Sequence, residues 1–83
     1  MSYEKVTQAK HLSIGLKQTL KSLERDMAIE IIIAKDAERR VTQKLIRLAD
    51  EKKVPITYVD SMKQLGKACG IDVGASTVAL LRG

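Results

Sequence analysis

Three cations repeat along one short segment of this sequence, and the chemistry they offer is anion binding. Lys17, Lys21 and Arg25 fall at i, i+4 and i+8, so a helix would hold them in one row. Cations near a helix start are unfavourable by roughly 0.3–1 kcal/mol each when exposed, because the helix dipole is positive there. The free backbone N–H groups at that end also attract anions. The row therefore indicates a site for a phosphate or a guanine edge, and the alternative is an ordinary solvated helix face.

The other reactive side chains form no catalytic constellation. His11 is the single histidine and lacks a carboxylate neighbour, so it is interpreted as a surface side chain. Cys69 falls on the apolar face of a predicted helix and is expected to pack, and one cysteine allows neither an internal disulfide nor a thiolate zinc site. We therefore expect no enzyme activity, no small-molecule substrate, no metal and no cofactor.

Length and charge restrict the class of protein. The chain has 83 residues, enough for a single small domain spanning residues 1–83. A hydrophobic fraction of 45% excludes a disordered chain, and a net charge of +5 favours a polyanionic partner, nucleic acid first. Tyr3 and Tyr58 are the only aromatic residues, which argues against RNA binders that stack bases on aromatic platforms.

Targeting signals are not recognisable in the sequence. No apolar run approaches the roughly 20 residues of a membrane helix, so no membrane association is expected. The N-terminal residues lack the basic-then-apolar order of a signal peptide. The chain is therefore expected to be a cytoplasmic protein, and nothing in its sequence suggests more than a monomer.

Helices and strands are predicted to alternate along the whole chain. The predicted helices span residues 3–10, 16–25, 38–53 and 62–69, and the predicted strands span residues 12–14, 28–34, 56–59 and 77–81. Residues 28–34 are β-branched without helical spacing, which indicates a central strand covered on both faces. The order predicts an α/β fold, a three-layer α/β/α sandwich around a mixed four-stranded sheet with central parallel strands and functional loops at the strand ends.

Helix ends are predicted from their capping residues. Ser2 is expected to cap the first helix, and Gly15 and Asp36 the second and third. Val54-Pro55 is expected to end the third helix. In the fourth helix, Ser61 and Gln64 form a capping box and Gly70 is a left-handed stop.

The helix faces are predicted from apolar spacing. The second helix has an apolar row that Met27 is expected to extend, made of Leu16, Leu20 and Leu23. The third helix has a predicted core face with Ile46 beside it, made of Val41, Leu45, Leu48 and Ala49. The third helix also has a basic row, made of Arg40, Lys44 and Arg47. Because acidic residues lie among these cations, the row is interpreted as a plain solvated face.

Several segments together carry a family resemblance that covers nearly the whole chain. Residues 15–25, 33–37, 54–59 and 61–73 and the closing strand occur in the order glycine-led basic helix, strand with an Asp turn, Val-Pro strand, Leu-Gly helix and apolar loop. This order resembles the kink-turn-binding family of ribosomal and box C/D proteins, and most of all its short bacterial YbxF-like branch. The resemblance implies an α/β/α sandwich, in agreement with the pattern of elements.

The resemblance also implies a function and a set of contacts. Members of that family bind the kink-turn, an internal RNA loop with tandem sheared G·A pairs and a sharp bend, and here the RNA would be ribosomal RNA or a riboswitch. Lys17, Gln18 and Lys21 would lie at the G·A guanines, Arg25 would hold backbone phosphate, and the loop Ile71, Asp72 and Val73 would pack on the bulge. Gly15 and Lys35 complete the implied RNA-binding set.

Two positions depart from the archaeal and eukaryotic pattern of the family. That pattern has asparagine and glutamate where this chain has Lys17 and Gln18. Lysine only donates and suits guanine O6 and N7, whereas glutamine donates and accepts without a charge. The alternative function is a protein-interaction or structural ribosomal module without specific kink-turn recognition.

Overall fold

The computed structural model describes residues 3–82 and contains the predicted alternation of elements. The helices are α1 (Tyr3–Gln8), α2 (Leu16–Glu24), α3 (Arg39–Glu51) and α4 (Met62–Ala68). The strands are β1 (Leu12–Ile14), β2 (Ala28–Ala34), β3 (Ile56–Val59) and β4 (Thr77–Leu81). All four strands have their predicted bounds, and the helix ends differ from the predicted ends by at most two residues. The predicted cap at Ser2 lies outside the described residues.

The sheet is mixed, but its central pair is antiparallel. The strand order is β1-β4-β2-β3, and β2 and β3 form the parallel pair, joined by α3. β4 runs antiparallel to both β1 and β2, so the expectation of central parallel strands is wrong. The reason is that the seven-residue α4 and its loop return the chain to the sheet edge at which β3 ends. β4 therefore enters the sheet in the opposite direction to β2.

Two separate cores flank the sheet, which confirms the three-layer architecture. One core packs α1 and α4 against one face, with Val6, Leu65, Ile32 and Val78 among its buried members. The other packs α2 and α3 against the opposite face, with Leu23, Leu45, Ile31 and Ile33 among its buried members. From Ile31 to Ala34, successive β2 residues alternate between the two cores, as expected of a strand covered on both faces. Earlier in β2, Ile29 is 52% exposed and the pairing with β4 is irregular between Ala28 and Glu30.

One predicted core residue of α3 lies at the surface. Leu45 and Ala49 are fully buried, but Val41 is exposed and Thr42 is buried instead. Each helical residue turns by about 100°, which places Val41 at the margin of the stripe centred on Leu45, Ala49 and Thr42. The Thr42 hydroxyl lies within 3.5 Å of the Glu38 carbonyl oxygen, so its burial does not leave it without a hydrogen bond.

Asp36 caps a different helix from the one predicted. The N-cap of α3 is Glu38, and the Asp36 carboxylate instead accepts a hydrogen bond from the backbone N–H of Met62 over 2.9 Å. The Ala37 N–H donates to the Ala34 carbonyl, and this turn directs Asp36 toward the start of α4. A carboxylate is favourable at that positive helix end. The turn after β2 is thereby tied to α4.

The end of α3 is also set differently from the prediction. α3 ends at Glu51, and Lys53 has a left-handed backbone with φ 59°. The break therefore comes two residues before Pro55 and is completed by the Val54 N–H, which donates to the Ala49 carbonyl. Gly70 is left-handed as predicted, with φ 80°.

Candidate nucleic-acid interface

The start of α2, the turn after β2 and the loop before β4 meet at one end of the sheet, where β2 and β3 end and β4 begins. Below, this end is called the site edge of the sheet. The Gly15 N–H donates to the Thr77 carbonyl over 2.8 Å, which joins the start of α2 to the start of β4. The Ala34 N–H donates to the Ser76 carbonyl over 3.0 Å, which joins the end of β2 to the same loop. The predicted site residues Gly15, Lys35 and the 71–73 loop are therefore carried by segments that converge at this edge.

Gly15 begins α2 in a conformation that other residues avoid. Its φ is 94° and its ψ is 159°, a region that is essentially restricted to glycine. It is the predicted N-cap, and without a side chain it makes no side-chain hydrogen bond to the helix. The first backbone N–H groups of α2 are consequently left without the usual capping oxygen, which favours an approaching anion or carbonyl oxygen.

Three predicted site residues of α2 line one groove beside β1. Gln18, Lys21 and Arg25 border a groove of about 190 Å³, together with Met27. α2 ends at Glu24, one residue earlier than predicted, and Arg25 is its C-cap. Met27 is 45% exposed and lies beyond the helix, so the prediction that it extends the apolar row is wrong. Lys17 does not border this groove. The cationic row is therefore divided, with Lys21 and Arg25 at the groove and Lys17 at the start of the helix.

Hydroxyl groups outside the predicted site hold α2 against the sheet. The Ser13 and Ser22 hydroxyl oxygens lie 2.6 Å apart, and Ser22 also donates to the Gln18 carbonyl. On the buried side, the Thr77 hydroxyl donates to the Thr19 hydroxyl over 3.4 Å. The signal in the sequence is that Thr19 and Ser22 interrupt the otherwise apolar face of α2. Such hydroxyls fix the position of the groove relative to β1 and β4.

The 71–73 loop divides its side chains between the core and solvent. Ile71 is half-buried and packs against the core of α1 and α4, and its N–H donates to the Gly66 carbonyl over 3.1 Å. Asp72 is exposed, and Val73 is 69% exposed. Of the two apolar side chains, Ile71 therefore anchors the loop, while Val73 presents an apolar surface to solvent.

Lys35 lies just beyond β2 and continues its pairing with β3. Its backbone N–H donates to the Val59 carbonyl over 2.7 Å, and its side chain is exposed. It stands apart from the groove beside β1 and instead borders a second groove, between α3 and β3. The structure therefore gathers Gln18, Lys21 and Arg25 into one groove but not Lys35.

Among the described residues, two ionisable groups have displaced pKa values, and neither belongs to the interface. The Lys52 ammonium lies 2.8 Å from the Asp26 carboxylate and lowers the pKa of Asp26 by a hydrogen bond and by its charge. Burial raises the pKa of the Cys69 thiol, which packs against the core as predicted. Within residues 3–82 no group of histidine, cysteine, aspartate or glutamate side chains is arranged to hold a metal ion. Across the same residues no helix is long and apolar enough to span a membrane.

Known proteins share this sequence and architecture. The family described as "Ribosomal protein L7Ae/L30e/S12e/Gadd45 family" matches residues 2–82. An RNA-binding protein of Halalkalibacterium halodurans is 66% identical over 80 residues, which cover 96% of this chain and 98% of that protein. The RNA-binding protein YbxF of Geobacillus stearothermophilus is 54% identical over 82 residues, covering 99% of this chain and all of that protein.

Solved structures agree with the fold. The Giardia lamblia 15.5kD RNA binding protein superposes with a TM-score of 0.84 at 26% identity, covering 98% of this chain and 68% of that chain. A protein with unknown function from Bacillus halodurans C gives the same TM-score at 20% identity, covering 98% and 81%, and bears on the fold alone. The relatives carry names of RNA-binding rather than enzymatic proteins, in agreement with the expectation of a non-enzymatic chain.

Proposed function

Since this chain belongs to the ribosomal protein L7Ae/L30e/S12e/Gadd45 family, we propose that it is a non-catalytic RNA-binding protein that recognises kink-turns and stabilises their bent form. The observation that carries the proposal is the convergence, at the site edge of the sheet, of an uncapped helix start, which has Lys17 and Gln18 in its first turn, and the loop before β4, which exposes Val73. From that helix start the cationic row runs along α2 to Arg25. The relatives named as RNA-binding proteins support the same partner.

The start of α2 supplies the donors for base recognition. Guanine presents two acceptors, O6 and N7, in the major groove. Lys17 is exposed in the first turn of α2 and offers only donors, so it suits these two atoms. Gln18 is exposed beside it and offers both a donor and an acceptor, which allows it to contact the edge of a sheared G·A pair. These two side chains are assigned to selectivity.

The groove beside β1 supplies the contacts to the RNA backbone. Lys21 and Arg25 border it, and both are exposed cations on the same side of α2 as Gln18. Contacts between cations and phosphates give affinity and salt dependence but carry no sequence information. Arg25 has a planar guanidinium that pairs with two phosphate oxygens at once. These two cations are assigned to affinity.

The 71–73 loop supplies an apolar surface for the bulged nucleotides. Val73 is 69% exposed in the loop that leads into β4, while Ile71 anchors the loop to the core. Packing of an unstacked base against such a side chain is favourable, because the apolar surfaces of both are removed from water. A protein that contacts guanines, phosphates and bulge together fits only the bent RNA. It therefore shifts the RNA toward the bend by the difference between its affinities for the two states.

The decisive experiment is a gel-shift titration at two salt concentrations. One RNA carries a kink-turn with tandem G·A pairs, and its twin carries Watson–Crick pairs at those positions. We expect tight binding to the first RNA alone, with affinity falling as salt rises by a log–log slope of roughly 0.7–0.9 per phosphate contact. Equal, salt-sensitive binding to both RNAs would reduce the interface to an electrostatic patch. Absence of binding to either RNA would favour the protein-interaction module.

A further inference from the structure

A second and larger groove lies between α3 and the ends of β2 and β3. Its volume is about 490 Å³, and its polar border is formed by Lys35, Arg39, Gln43, Arg47 and Tyr58. Arg39, Gln43 and Arg47 follow one another at i, i+4 and i+8, so one side of α3 provides most of this border. The solvated row expected on α3 included Arg47 but not Arg39, and the structure assigns Arg47 to a concave surface.

The groove is positively charged, and its cations form no ion pair with any residue between 3 and 82. Lys35, Arg39 and Arg47 are all exposed. The ion pairs within residues 3–82 join Lys5 to Glu30 and Lys52 to Asp26, and no carboxylate of that range borders the groove. Three cations gathered around one concavity repel one another, and a bound anion relieves that repulsion.

The groove also contains an exposed aromatic ring. Tyr58 is 48% exposed on β3, which is an edge strand of the sheet. Because Val59 points into the core of α1 and α4, the preceding residue points to the opposite face, toward α3. Bases of any sequence stack on such a ring, and arginine side chains beside it hold the connecting phosphates.

We propose that this groove binds a second segment of RNA, a single-stranded extension that flanks the kink-turn. Arg39 and Arg47 hold its phosphates, and the Tyr58 ring stacks on one of its bases. The two arginines are eight residues apart, or ~12 Å along the helix, which suits a strand rather than a single ion. This inference rests on the proposed function, since the kink-turn delivers the extension to the groove.

Lys35 connects the two surfaces. Lys35 follows β2 directly, and the last residue of β2 is hydrogen-bonded to the loop before β4, beside the start of α2. An RNA strand leaving the kink-turn at this edge can pass Lys35 and enter the groove. An acidic peptide would satisfy the cations equally, but it would leave the exposed face of Tyr58 without a stacking partner. The ring therefore favours a nucleic acid.

The test compares two RNAs that share one kink-turn, a core RNA and the same RNA with a single-stranded extension of six nucleotides. The groove variant is Arg39→Ala with Arg47→Ala. Its matched control is Arg40→Ala with Lys44→Ala, which removes the same charge from exposed positions of α3 that do not border the groove. Tyr58→Ala and Tyr58→Phe separate loss of the ring from loss of the hydroxyl.

We expect the extension to strengthen binding of the wild type and of the charge-matched control. The groove variant loses that gain, and its log–log salt slope on the extended RNA is smaller by about 1.4, or roughly 0.7 for each of two phosphates. Tyr58→Ala binds the extended RNA about tenfold more weakly, whereas Tyr58→Phe binds it like the wild type. On the core RNA, all variants bind alike.

Two results overturn the inference: an extension that adds nothing to wild-type affinity, or a groove variant that keeps the whole gain. Competition by hexaglutamate peptide at the groove, together with an extension that adds nothing, would assign the groove to a protein instead. Failure of the kink-turn proposal looks different. In that case the core RNA and its Watson–Crick twin bind the wild type equally, while the gain from the extension is measured on either RNA.

Discussion

Gly66 in α4 lies directly against the carbonyl group of Val73, so closely that a Cβ atom on Gly66 would overlap the carbonyl oxygen. α4 and the 71–73 loop can approach each other only because residue 66 has no side chain. Gly66→Ala is expected to push the loop away and to destabilise the fold by roughly 1–3 kcal/mol, the usual cost of overpacking. Thermal unfolding would show this as a fall in Tm of several degrees or more, about 4–8 °C per kcal/mol in so small a domain.

Gly74 offers a matched control for that substitution. A Cβ on Gly74 would meet Met62 at 3.3 Å, a tight contact that small shifts relieve. Gly74→Ala should therefore change Tm much less than Gly66→Ala. On the kink-turn RNA, Gly66→Ala should also weaken binding, because Val73 moves. An unchanged Tm for Gly66→Ala would show that α4 and the loop can separate without cost.

Gly15 is required for a different reason, which is backbone conformation rather than space. A Cβ built on Gly15 meets nothing within 4 Å, but φ is 94°. Gly15→Ala should destabilise the protein by about 1–3 kcal/mol in a urea titration, because an L-residue is strained there. D-alanine at the same position, introduced by chemical synthesis, adds the same methyl group but favours positive φ and should restore stability. Equal losses with both alanines would refute the conformational explanation.

Selectivity and affinity should separate among the side chains of α2. Gln18→Ala and Lys17→Ala are expected to reduce the ratio of affinities for the G·A RNA and its Watson–Crick twin, because we propose that both side chains contact base edges. Arg25→Ala should weaken both RNAs alike and reduce the salt slope by roughly 0.7–0.9, as for one lost phosphate contact. Lys44→Ala is the control for removal of one exposed charge. Equal losses on both RNAs for all three variants would contradict this division of roles.

Most of the fold is predictable here because its elements have strong local signals. The β-branched run 28–34 has no helical spacing and became β2, and the Ser61 hydroxyl caps α4 by accepting from the Gln64 N–H over 3.0 Å. The errors arise where a residue interacts with a segment that is distant in sequence. Asp36 precedes α3 in sequence but lies beside α4 in space, so its carboxylate caps α4. The antiparallel entry of β4 likewise depends on where a short helix returns the chain.

The helix that carries the candidate site was predictable from the sequence, but the residues that border each groove were not. The spacing of Lys17, Lys21 and Arg25 indicated the cationic row, but only packing shows which of these residues borders the groove beside β1. The larger groove was not predictable, because it joins Arg39 and Arg47 of α3 to Tyr58 of β3. Periodicity within one helix carries no information about a strand that packs beside it.

Burial of Cys69 predicts slow reaction of its thiol. The pKa of Cys69 is raised above its ordinary value of 9.0, because burial disfavours the thiolate. The rate of alkylation by iodoacetamide should therefore increase at a higher pH in the folded protein than in the protein unfolded in urea. The folded state favours the protonated thiol, so the contribution to stability is complete below pH 9 and is lost as pH rises through the folded pKa. Coincident pH profiles in the two states would contradict the shift.

The hydroxyl pair of Ser13 and Ser22 should couple the position of α2 to RNA selectivity. The two oxygens lie 2.6 Å apart between β1 and α2, and Ser22 is buried. Ser22→Ala leaves the Ser13 hydroxyl without this partner and should destabilise the protein by about 1 kcal/mol. The double variant should lose less than the sum of the two single losses, because the two residues share one interaction.

That coupling also has a readout on RNA. If the pair holds α2 in place, Ser22→Ala reduces the preference for G·A pairs even though neither serine needs to touch the RNA. Thr57→Ala provides the control, because it removes a half-buried hydroxyl, bonded to Glu30, from the face of the sheet opposite α2. Strictly additive losses of stability, with selectivity unchanged, would show that the two serines contribute independently and do not set the position of α2.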